Sequence, residues 1–510
     1  MMRILALFVT TLMVHFLADS VKADGRFQVV REEIQKQLVE RQVASLAVAV
    51  AKEGKILWEE GFGWADRERR VPATEHTPYS LASISKPITA TALMVLVERG
   101  KVDLDQPANV YLGDAKLRSY VWDASGATVR RLSNHTAGLP LHYQFFYEDE
   151  GREPPSRDES IRRYGVLTAP PGERYQYANF GYGVLDYIIE RTAGKSYEQF
   201  LREEVFLPLG MTRTSVGVLP ELATETAMRY GPHQNRLPFY DFDHPGASAV
   251  FSSAHDLVRF GMFHLKQGLP DQKAILSDES LDAMTRDPVD TGTGARYGIG
   301  WAIQEDAYGY RTYGHTGGMG GVRTVLTLVP SEKLVVVVLT NGENDLHRVI
   351  ERRILEEMLE GYGDSSRRSN NGNEGGSAAQ SSAHGSNSPS DLDSSNETPI
   401  DGVWRGVVKT WAGDRALELK VQPSGDIHVR LADQLWTLLN EPQRTATSLA
   451  GVFAGDIRTD DANHRPYHLH LNLVRRGEVM NGSLTAKSLP NSRTGNALSY
   501  WVEVKRQEAN

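Results

Sequence analysis

The stretch Ser83-Ile84-Ser85-Lys86 decides the interpretation of this chain, because it places a serine and a lysine three residues apart in front of an apolar run. That run, residues 88–97, is typical of a buried helix, and Glu98-Arg99-Gly100 supplies the glycine that commonly ends one. Residues three apart lie on one face of a helix. The sequence therefore predicts Ser83 at the N-terminus of a buried helix, with the amine of Lys86 beside its hydroxyl.

A serine hydroxyl beside a lysine amine is a combination that supports nucleophilic catalysis. The hydroxyl becomes a useful nucleophile when a neighbouring base accepts its proton. A lysine can do so when partial burial lowers its pKa. The pattern alone is weak evidence, since most serine–lysine pairs at this spacing are solvated helix surface. Ser85 is a poorer candidate nucleophile than Ser83, because no lysine follows it three residues later.

Two further motifs follow in order along the chain. Tyr177-Ala178-Asn179 precedes a helical pattern, and His315-Thr316-Gly317 comes much later, followed by Gly318. The phenol of Tyr177 is a second candidate for proton transfer, provided that a cation such as Lys86 lowers its pKa from about 10. Together with the serine–lysine pair, these motifs form a candidate set for acyl transfer. The choice of general base between Lys86 and Tyr177 stays open.

In this order and spacing, the three motifs resemble those of the serine penicillin-recognising hydrolases. The chain is similar to the branch that contains class C β-lactamases, D,D-peptidases, D-aminopeptidases and family VIII esterases. The resemblance extends over about residues 25–360. Further stretches agree with the same branch, namely Asn134-His-Thr-Ala-Gly-Leu-Pro140, Pro171-Gly-Glu-Arg174, Pro208-Leu-Gly-Met211 and Tyr297-Gly-Ile-Gly-Trp301.

The resemblance implies a catalytic role for three residues. Ser83 would be the nucleophile, and Lys86 and Tyr177 would accept and deliver its proton. Asn179 would hydrogen-bond both Lys86 and the substrate. The backbone N–H of Ser83, at the start of a helix, would be one of two donors to the developing oxyanion.

The resemblance also implies that His315-Thr316-Gly317-Gly318 binds substrate from an edge strand beside the cleft. The family pattern carries Lys-Thr-Gly at the first three positions and assigns the second oxyanion N–H to the following residue, Gly318. A histidine is mostly neutral at neutral pH, unlike a lysine. The change at His315 therefore disfavours a substrate with a free carboxylate. Arg323 remains as either a carboxylate ligand or an exposed strand residue.

The resemblance implies a serine hydrolase that forms an acyl-enzyme with a small ester or amide, and the N-terminal segment described below adds the expectation that it is exported. An esterase or a D-amino-acid peptidase is favoured, with a small molecule or peptide as substrate and with no metal or other cofactor. A D,D-carboxypeptidase or β-lactamase is one alternative. A non-catalytic penicillin-recognising sensor or binding protein is another.

Length and composition set further limits. A chain of 510 residues with 40% hydrophobic content favours two domains with a sizeable core. The net charge of −9 gives no excess of positive charge of the kind that nucleic-acid-binding proteins carry. The absence of cysteine excludes disulfides and thiolate metal sites. Oligomeric state is left open by the sequence.

The N-terminus predicts export. Arg3 precedes an apolar segment, residues 4–18, and Val21-Lys22-Ala23 is a small-residue cleavage site before Asp24. The apolar segment is short for a membrane span. We therefore expect residues 1–23 to be a signal peptide and the mature chain to be periplasmic or secreted, with an uncleaved signal anchor as the alternative.

Three regions follow the predicted signal. Residues 24–362 have strands at both ends with helices between. With the resemblance, this predicts an α+β fold, in which an antiparallel sheet is flanked by helices and carries an all-helical insert. Residues 363–399 are rich in Ser, Asn and Gly, which predicts a disordered linker. Residues 400–510 alternate apolar and polar side chains in short segments, which predicts a small all-β domain, a lipocalin-like barrel or a sandwich.

A group of histidines in the last region leaves two interpretations open. His468 and His470 share one face of a predicted strand, and His464 lies nearby with Asp460 and Asp461. Such a set can bind a metal. The alternation with leucines equally fits an ordinary half-buried strand, and no metal site is predicted.

Overall fold

The computed structural model describes residues 25–364, 400–489 and 495–507. The predicted signal peptide at residues 1–23 lies outside the described residues, as do residues 365–399 of the predicted linker. None of the helices within the described ranges combines the length and apolar character that a bilayer crossing requires.

The described α-helices all belong to the part of the chain before residue 365. They are α1 (Gln28–Glu40), α2 (Ser85–Glu98), α3 (Val129–Ser133), α4 (Arg157–Tyr164), α5 (Asn179–Ala193), α6 (Tyr197–Leu201), α7 (Ala254–His264), α8 (Asp278–Arg286) and α9 (Leu346–Met358). The predicted N-terminal and closing helices are α1 and α9.

The same part of the chain contains strands that range from two to twelve residues. They are β1 (Ser45–Lys52), β2 (Lys55–Asp66), β3 (Val71–Pro72), β4 (Tyr79–Ser80), β5 (Phe145–Tyr147), β6 (Ser215–Val216), β7 (Arg229–Tyr230), β8 (Arg236–Leu237), β9 (Tyr240–Phe242), β10 (Val250–Ser252), β11 (Val289–Asp290), β12 (Arg296–Tyr297), β13 (Ala302–Ala307), β14 (Tyr310–Met319), β15 (Val322–Val329) and β16 (Leu334–Thr340).

The main sheet joins the two ends of this domain. Its strand order is β11-β12-β13-β14-β15-β16-β1-β2-β3, and every pairing is antiparallel. The two hairpins predicted from the sequence, β1–β2 and β15–β16, are both present. Gly54 sits at the first turn with φ +75°, a conformation that glycine adopts at little cost. Pairing of β1 with β16 then brings residues almost 300 positions apart into one ladder.

Strand β16 lies at the centre of the core because helices cover both faces of the sheet. All of its residues are buried. Successive side chains of a strand point to opposite faces. Val336 and Val338 accordingly pack in the layer that contains α1 and α9, whereas Val337 and Leu339 pack in the layer that contains α2 and α7. The uninterrupted apolar run 334–339 thus reflects a strand buried on both sides.

The insert between the two halves of the sheet contains the helices α3 to α8, joined by loops. It also carries short strands, which differs from the all-helical insert that the sequence predicted. These strands form three small sheets, β4-β10-β6, β5-β9 and β7-β8. They pair backbone groups that buried loops would otherwise leave without hydrogen-bond partners. One of them, β4, leads directly into the turn that carries Ser83.

The C-terminal region is an antiparallel β-barrel, as predicted. Its strands are β17 (Gly402–Thr410), β18 (Gly413–Val421), β19 (Ile427–Leu431), β20 (Thr437–Leu438), β21 (Asn440–Arg444), β22 (Ser448–Gly455), β23 (Tyr467–Arg476), β24 (Val479–Lys487) and β25 (Ala497–Arg506). They occur in the sheet order β20-β19-β18-β17-β25-β24-β23-β22-β21. Only Leu439 separates the two edge strands, so the edges of the sheet meet and nearly close it.

Candidate active site

Ser83 lies in a 3-10 turn, Ala82–Ile84, that runs directly into α2. Ala82 has φ +48°, a left-handed conformation that is uncommon for a residue other than glycine. The neighbouring backbone is anchored on both sides, because the N–H of Leu81 donates to Val250 O at 2.8 Å and its carbonyl accepts from Thr324 Oγ1 at 2.9 Å. Tertiary contacts therefore hold the strained turn in place.

The side chain of Lys86 reaches back to Ser83, as the spacing predicted. Its Nζ lies 3.1 Å from Ser83 Oγ. It also donates to Asn179 Oδ1 at 2.7 Å and to the backbone carbonyl of Ala247 at 3.1 Å. Lys86 is completely buried, whereas Ser83 is half-buried. The nucleophile candidate therefore stands between the interior amine and the surface.

The surroundings of Lys86 favour a neutral amine. Burial lowers its pKa well below the ordinary value of 10.5. A neutral amine has two hydrogens and one lone pair, and the two carbonyl oxygens of Asn179 and Ala247 accept the two hydrogens. The lone pair is then left for the hydroxyl hydrogen of Ser83. This arrangement is what a general base for Ser83 requires.

Tyr177 is beside the same pair, but its electrostatics differ from the sequence-based expectation. Lys86 Nζ lies 4.8 Å from the centre of the Tyr177 ring. Burial nevertheless raises the pKa of Tyr177 above its ordinary value, although a hydrogen bond with Ser83 opposes that rise. The expected lowering by Lys86 is absent because burial disfavours the ammonium form of Lys86 as well as the phenolate. Tyr177 is therefore a neutral phenol next to the nucleophile.

His135 accepts hydrogen bonds from the residues on both sides of Tyr177. Its carbonyl accepts from the N–H of Gln176 at 2.8 Å, and its Nδ1 accepts from the N–H of Ala178 at 3.2 Å. The two rings of His135 and Tyr177 lie 4.4 Å apart between centres. His135 itself has φ +63° and is buried. Burial, the largest cause, lowers the pKa of His135 well below its ordinary value, which keeps the imidazole neutral with Nδ1 as an acceptor.

The strand that carries His315-Thr316-Gly317-Gly318 is β14, which is not an edge strand, contrary to the prediction. It lies between β13 and β15. Its pairing with β13 ends at Gly314, however, so residues 315–318 are paired with β15 on one side and face the Ser83 turn on the other. A short neighbouring strand thus leaves this part of an interior strand accessible to the site.

His315 is buried and neutral. Its Nδ1 donates to Thr316 O at 2.7 Å, and its Nε2 accepts from the hydroxyl of Tyr297 at 3.0 Å. Burial, with a smaller contribution from Lys86, lowers the pKa of His315 from 6.5 to about 3. Where the family pattern has a cation, this site therefore has an uncharged ring with both nitrogens engaged.

Gly317 and Gly318 differ in how closely they are packed. A Cβ on Gly317 would lie 2.0 Å from the carbonyl oxygen of Leu81, which is backbone and cannot move aside. A Cβ on Gly318 would approach nothing closer than the Arg323 side chain at 3.7 Å. Gly317 is therefore required for close approach of β14 to the Ser83 turn, and Gly318 is not.

Most of the sequence-predicted set converges here, and two participants were missed. Lys86 contacts Ser83, Asn179 and the ring of Tyr177. His315 is hydrogen-bonded to Tyr297, whose ring centre lies 4.7 Å from that of His135. The carbonyl of Ala247 carries no sequence signal, since any residue supplies one. Tyr297 occurs in a stretch that the sequence analysis quoted only for its resemblance to the family. His135 occurs in another such stretch, where the sequence favoured a structural role in placing the loop around the cleft over a catalytic one.

The histidines of the C-terminal region form no three-ligand cluster in the described part of the chain. His464 and Asp460 are both exposed at 3.6 Å, and Asp461 is buried against other residues. Among the described residues, the potential metal ligands that do cluster are His142, Asp243 and His244 of the first domain, all buried. In this cluster, His142 Nε2 donates to Asp243 Oδ2 at 2.6 Å.

With this geometry established, comparison with known proteins identifies the family. Residues 30–358 match the profile of the family described as Beta-lactamase, which covers more than half of the chain. The chain therefore belongs to the serine β-lactamase-related and penicillin-binding-protein-like family.

Curated relatives resemble only part of this chain. The unguisins hydrolase of Aspergillus campestris is 30% identical over 335 residues, or 61% of this chain and 60% of that protein. Penicillin-binding protein 4 of Amycolatopsis lactamdurans is 32% identical over 325 residues, or 59% of this chain and 82% of that protein. The chain therefore spans less than two thirds of the length of the first of these relatives.

Solved structures share the fold. A class C β-lactamase aligns with a TM-score of 0.58 at 20% identity, covering 67% of this chain and 98% of that one. The octameric penicillin-binding protein homologue of Pyrococcus abyssi aligns with a TM-score of 0.55 at 21% identity, covering 94% of this chain and 99% of that one. The second alignment extends over both domains.

The contrast between the two glycines gives a matched test of the site. We expect Gly317→Ala to lower thermal stability and to slow labelling of Ser83 by a fluorophosphonate, because the new methyl group forces β14 away from Leu81. Gly318→Ala should keep the melting temperature of the wild type. Equal behaviour of the two variants in thermal unfolding would contradict the assigned packing.

The contacts of His135 predict a kinetic effect. His135→Ala should lower kcat on a nitrophenyl ester by about 10- to 100-fold with little change in KM, because the N–H of Ala178 loses its Nδ1 acceptor and the Tyr177 ring loses the imidazole packed beside it. His135→Asn should recover part of the rate, since asparagine tolerates positive φ and supplies an acceptor. His347→Ala is the control, a buried histidine of α9 whose loss should reduce stability and leave kcat unchanged. An equal loss of kcat in both alanine variants would contradict the assignment.

Proposed function

We propose that this protein is an exported serine hydrolase that acts through an acyl-enzyme on a small ester or amide, in the manner of an esterase or a D-amino-acid peptidase. One observation carries the proposal. The buried amine of Lys86 is hydrogen-bonded to two carbonyl oxygens and lies 3.1 Å from Ser83 Oγ. In this proposal the signal peptide at residues 1–23 directs the chain out of the cytoplasm, to the periplasm or the medium.

The proposed reaction begins with proton transfer from Ser83 to Lys86. The hydroxyl oxygen attacks the substrate carbonyl, and the backbone N–H groups of Ser83 and Gly318 stabilise the oxyanion. The neutral phenol of Tyr177 relays the proton from Lys86 to the leaving group. A water molecule then hydrolyses the acyl-enzyme through the same groups in reverse. Asn179 fixes the amine and contacts the substrate.

The charges around the cleft support a substrate without a free carboxylate. His315, which occupies the position of a cation in the family pattern, is neutral and buried. Arg323, the other candidate, donates from Nη1 to the carbonyls of Met319 and Val322 at 2.9 and 2.7 Å. Its Nη2 lies 3.9 Å from Glu343. These contacts engage the Arg323 guanidinium with the turn between β14 and β15. With no free cation offered by His315 or Arg323, an uncharged ester or amide fits the site best.

Two alternatives remain distinct from this proposal. Relatives named penicillin-binding proteins favour a D,D-carboxypeptidase or a β-lactamase. A non-catalytic sensor or binding protein would retain the fold and acylate slowly or not at all. The first alternative predicts acylation of Ser83 by penicillin, which an esterase or a D-amino-acid peptidase would lack, and the second predicts slow acylation or none by any probe.

Active-site labelling separates these possibilities. We expect a fluorophosphonate to label the wild type and Ser85→Ala but not Ser83→Ala, since Lys86 activates Ser83. The Ser85 hydroxyl instead accepts from the N–H of Val250 at 3.0 Å in the interior. A fluorescent penicillin should label none of the three proteins. Penicillin labelling that depends on Ser83 would favour the carboxypeptidase or β-lactamase, and no labelling by either probe would refute the catalytic proposal.

The burial of Lys86 predicts the pH dependence. Since only the neutral amine accepts a proton, activity should fall as pH is lowered through the pKa of Lys86, which lies well below 10.5. Lys86→Arg should be inactive from about pH 5 to about pH 10, because arginine stays charged throughout. The measurement is kcat/KM on a nitrophenyl ester across this range. Activity of the arginine variant near the wild-type level would exclude Lys86 as the base.

A further inference from the structure

The barrel is hydrogen-bonded to the hydrolase domain along one segment, Leu141–Phe145. Tyr143 and Ala497 exchange two backbone hydrogen bonds, with N–O distances of 3.0 and 2.8 Å. The N–H of Phe145 donates to Asn496 Oδ1 at 3.0 Å, and this contact is buried. The Ser499 hydroxyl donates to Leu141 O. This contact surface between Leu141–Phe145 and residues 496–499, the seam, thus includes backbone pairing as well as side-chain contact.

A second set of contacts surrounds Asp461, which the barrel presents to α4. The Tyr164 hydroxyl and the indole N–H of Trp411 both donate to Asp461 Oδ2. The guanidinium of Arg163 lies 4.3 Å from the Trp411 ring centre. Asp461 itself is 5% exposed. A buried acceptor shared by donors from both domains indicates a specific docked arrangement.

The seam continues into the turn that holds Lys86. Within the Leu141–Phe145 segment, His142 Nε2 and the N–H of Gln144 donate to the two carboxylate oxygens of Asp243, at 2.6 and 3.2 Å. Asp243 begins the turn that ends four residues later at Ala247, whose carbonyl accepts from Lys86 Nζ at 3.1 Å. A continuous set of hydrogen bonds and backbone therefore leads from the barrel to the candidate base.

A second connection reaches the segment that carries Tyr177. Arg476 of β23 donates to both carboxylate oxygens of Glu173, at 2.7 and 2.9 Å. Glu173 precedes Tyr177 by four residues. Both side chains are partly exposed, so this ion pair contributes little free energy to docking. Its two hydrogen bonds instead fix the orientation of the barrel relative to this segment. The barrel thus contacts two segments of the hydrolase domain, one bonded to the Asp243 turn and the other leading to Tyr177.

We propose that the C-terminal barrel is a positioning domain of the hydrolase, docked through Asn496 and Asp461 so that the turn holding Lys86 and the segment holding Tyr177 keep their catalytic geometry. This inference rests on the proposed function. Asn496 and Asp461 act through other residues, because neither of them touches the Ser83–Lys86 pair.

The test uses the full chain with the double variant Asp461→Ala, Asn496→Ala. We expect kcat on a nitrophenyl ester to fall about 10- to 100-fold, with KM changed less than about twofold, since small displacements of catalytic groups cost this much. The rate of fluorophosphonate labelling should fall in parallel. Calorimetry should resolve two unfolding transitions in place of the single transition expected for the docked wild type.

Two matched variants separate docking from general damage to the barrel. Asp461→Asn keeps an oxygen that accepts from Tyr164 and Trp411, and should retain kcat and the single transition. Asp401→Ala removes an ion pair of 2.9 Å with Arg444 inside the barrel, away from the seam, and should leave kcat unchanged.

Three outcomes would overturn the proposal. A wild type that unfolds in two independent transitions would show that the domains are not docked. A double variant that splits into two transitions but keeps its kcat would show that docking does not position the site. An equal loss of kcat in Asp401→Ala would point to barrel stability instead. If the wild type is not labelled at all, the proposed function fails, and single-transition unfolding would still establish the seam alone.

Discussion

The complete burial of the Lys86 amine is the constraint on which the rest of the site depends. An amine in the interior must be hydrogen-bonded, and it is more stable neutral than charged. The carbonyls of Asn179 and Ala247 satisfy the first condition. They come from the start of α5 and from the loop before β10, so α2, α5 and that loop must stay in register for the lone pair to face Ser83.

The sheet supplies the other fixed wall. Its central strands are covered on both faces and cannot shift without exposing core side chains. Strand β14 extends past the end of β13, and the glycine at position 317 lets it lie against the carbonyl of Leu81. The strained turn at Ala82 is therefore held from one side by β14 and β15 and from the other by β10. Strain of this kind persists where the surroundings determine the backbone.

The seam gives the second domain a physical place in this arrangement. Separating the two domains would cost free energy, because it would break the backbone pairing and remove the buried acceptors Asn496 and Asp461 from their donors. Polar groups of the hydrolase domain would then be left without partners. The segment Leu141–Phe145 is shared between the seam and the Asp243 turn. Docking of the barrel and the position of the Lys86 amine thus depend on the same segment, although the two domains are distant in sequence.

The sequence by itself determined the pairing of Ser83 with Lys86, because helical spacing fixes that contact locally, and the hairpins and barrel strands, because their periodicity is also local. It identified Tyr177, Asn179 and the residues 315–318 through their resemblance to the family. Only the tertiary structure decided that Tyr177 has a raised pKa, that His315 is neutral and buried, and that β14 is an interior strand. It alone revealed the contacts of His135, the Ala247 carbonyl and the seam at Asn496. These depend on burial and on backbone groups brought together from distant segments, and neither leaves a pattern in the order of residues.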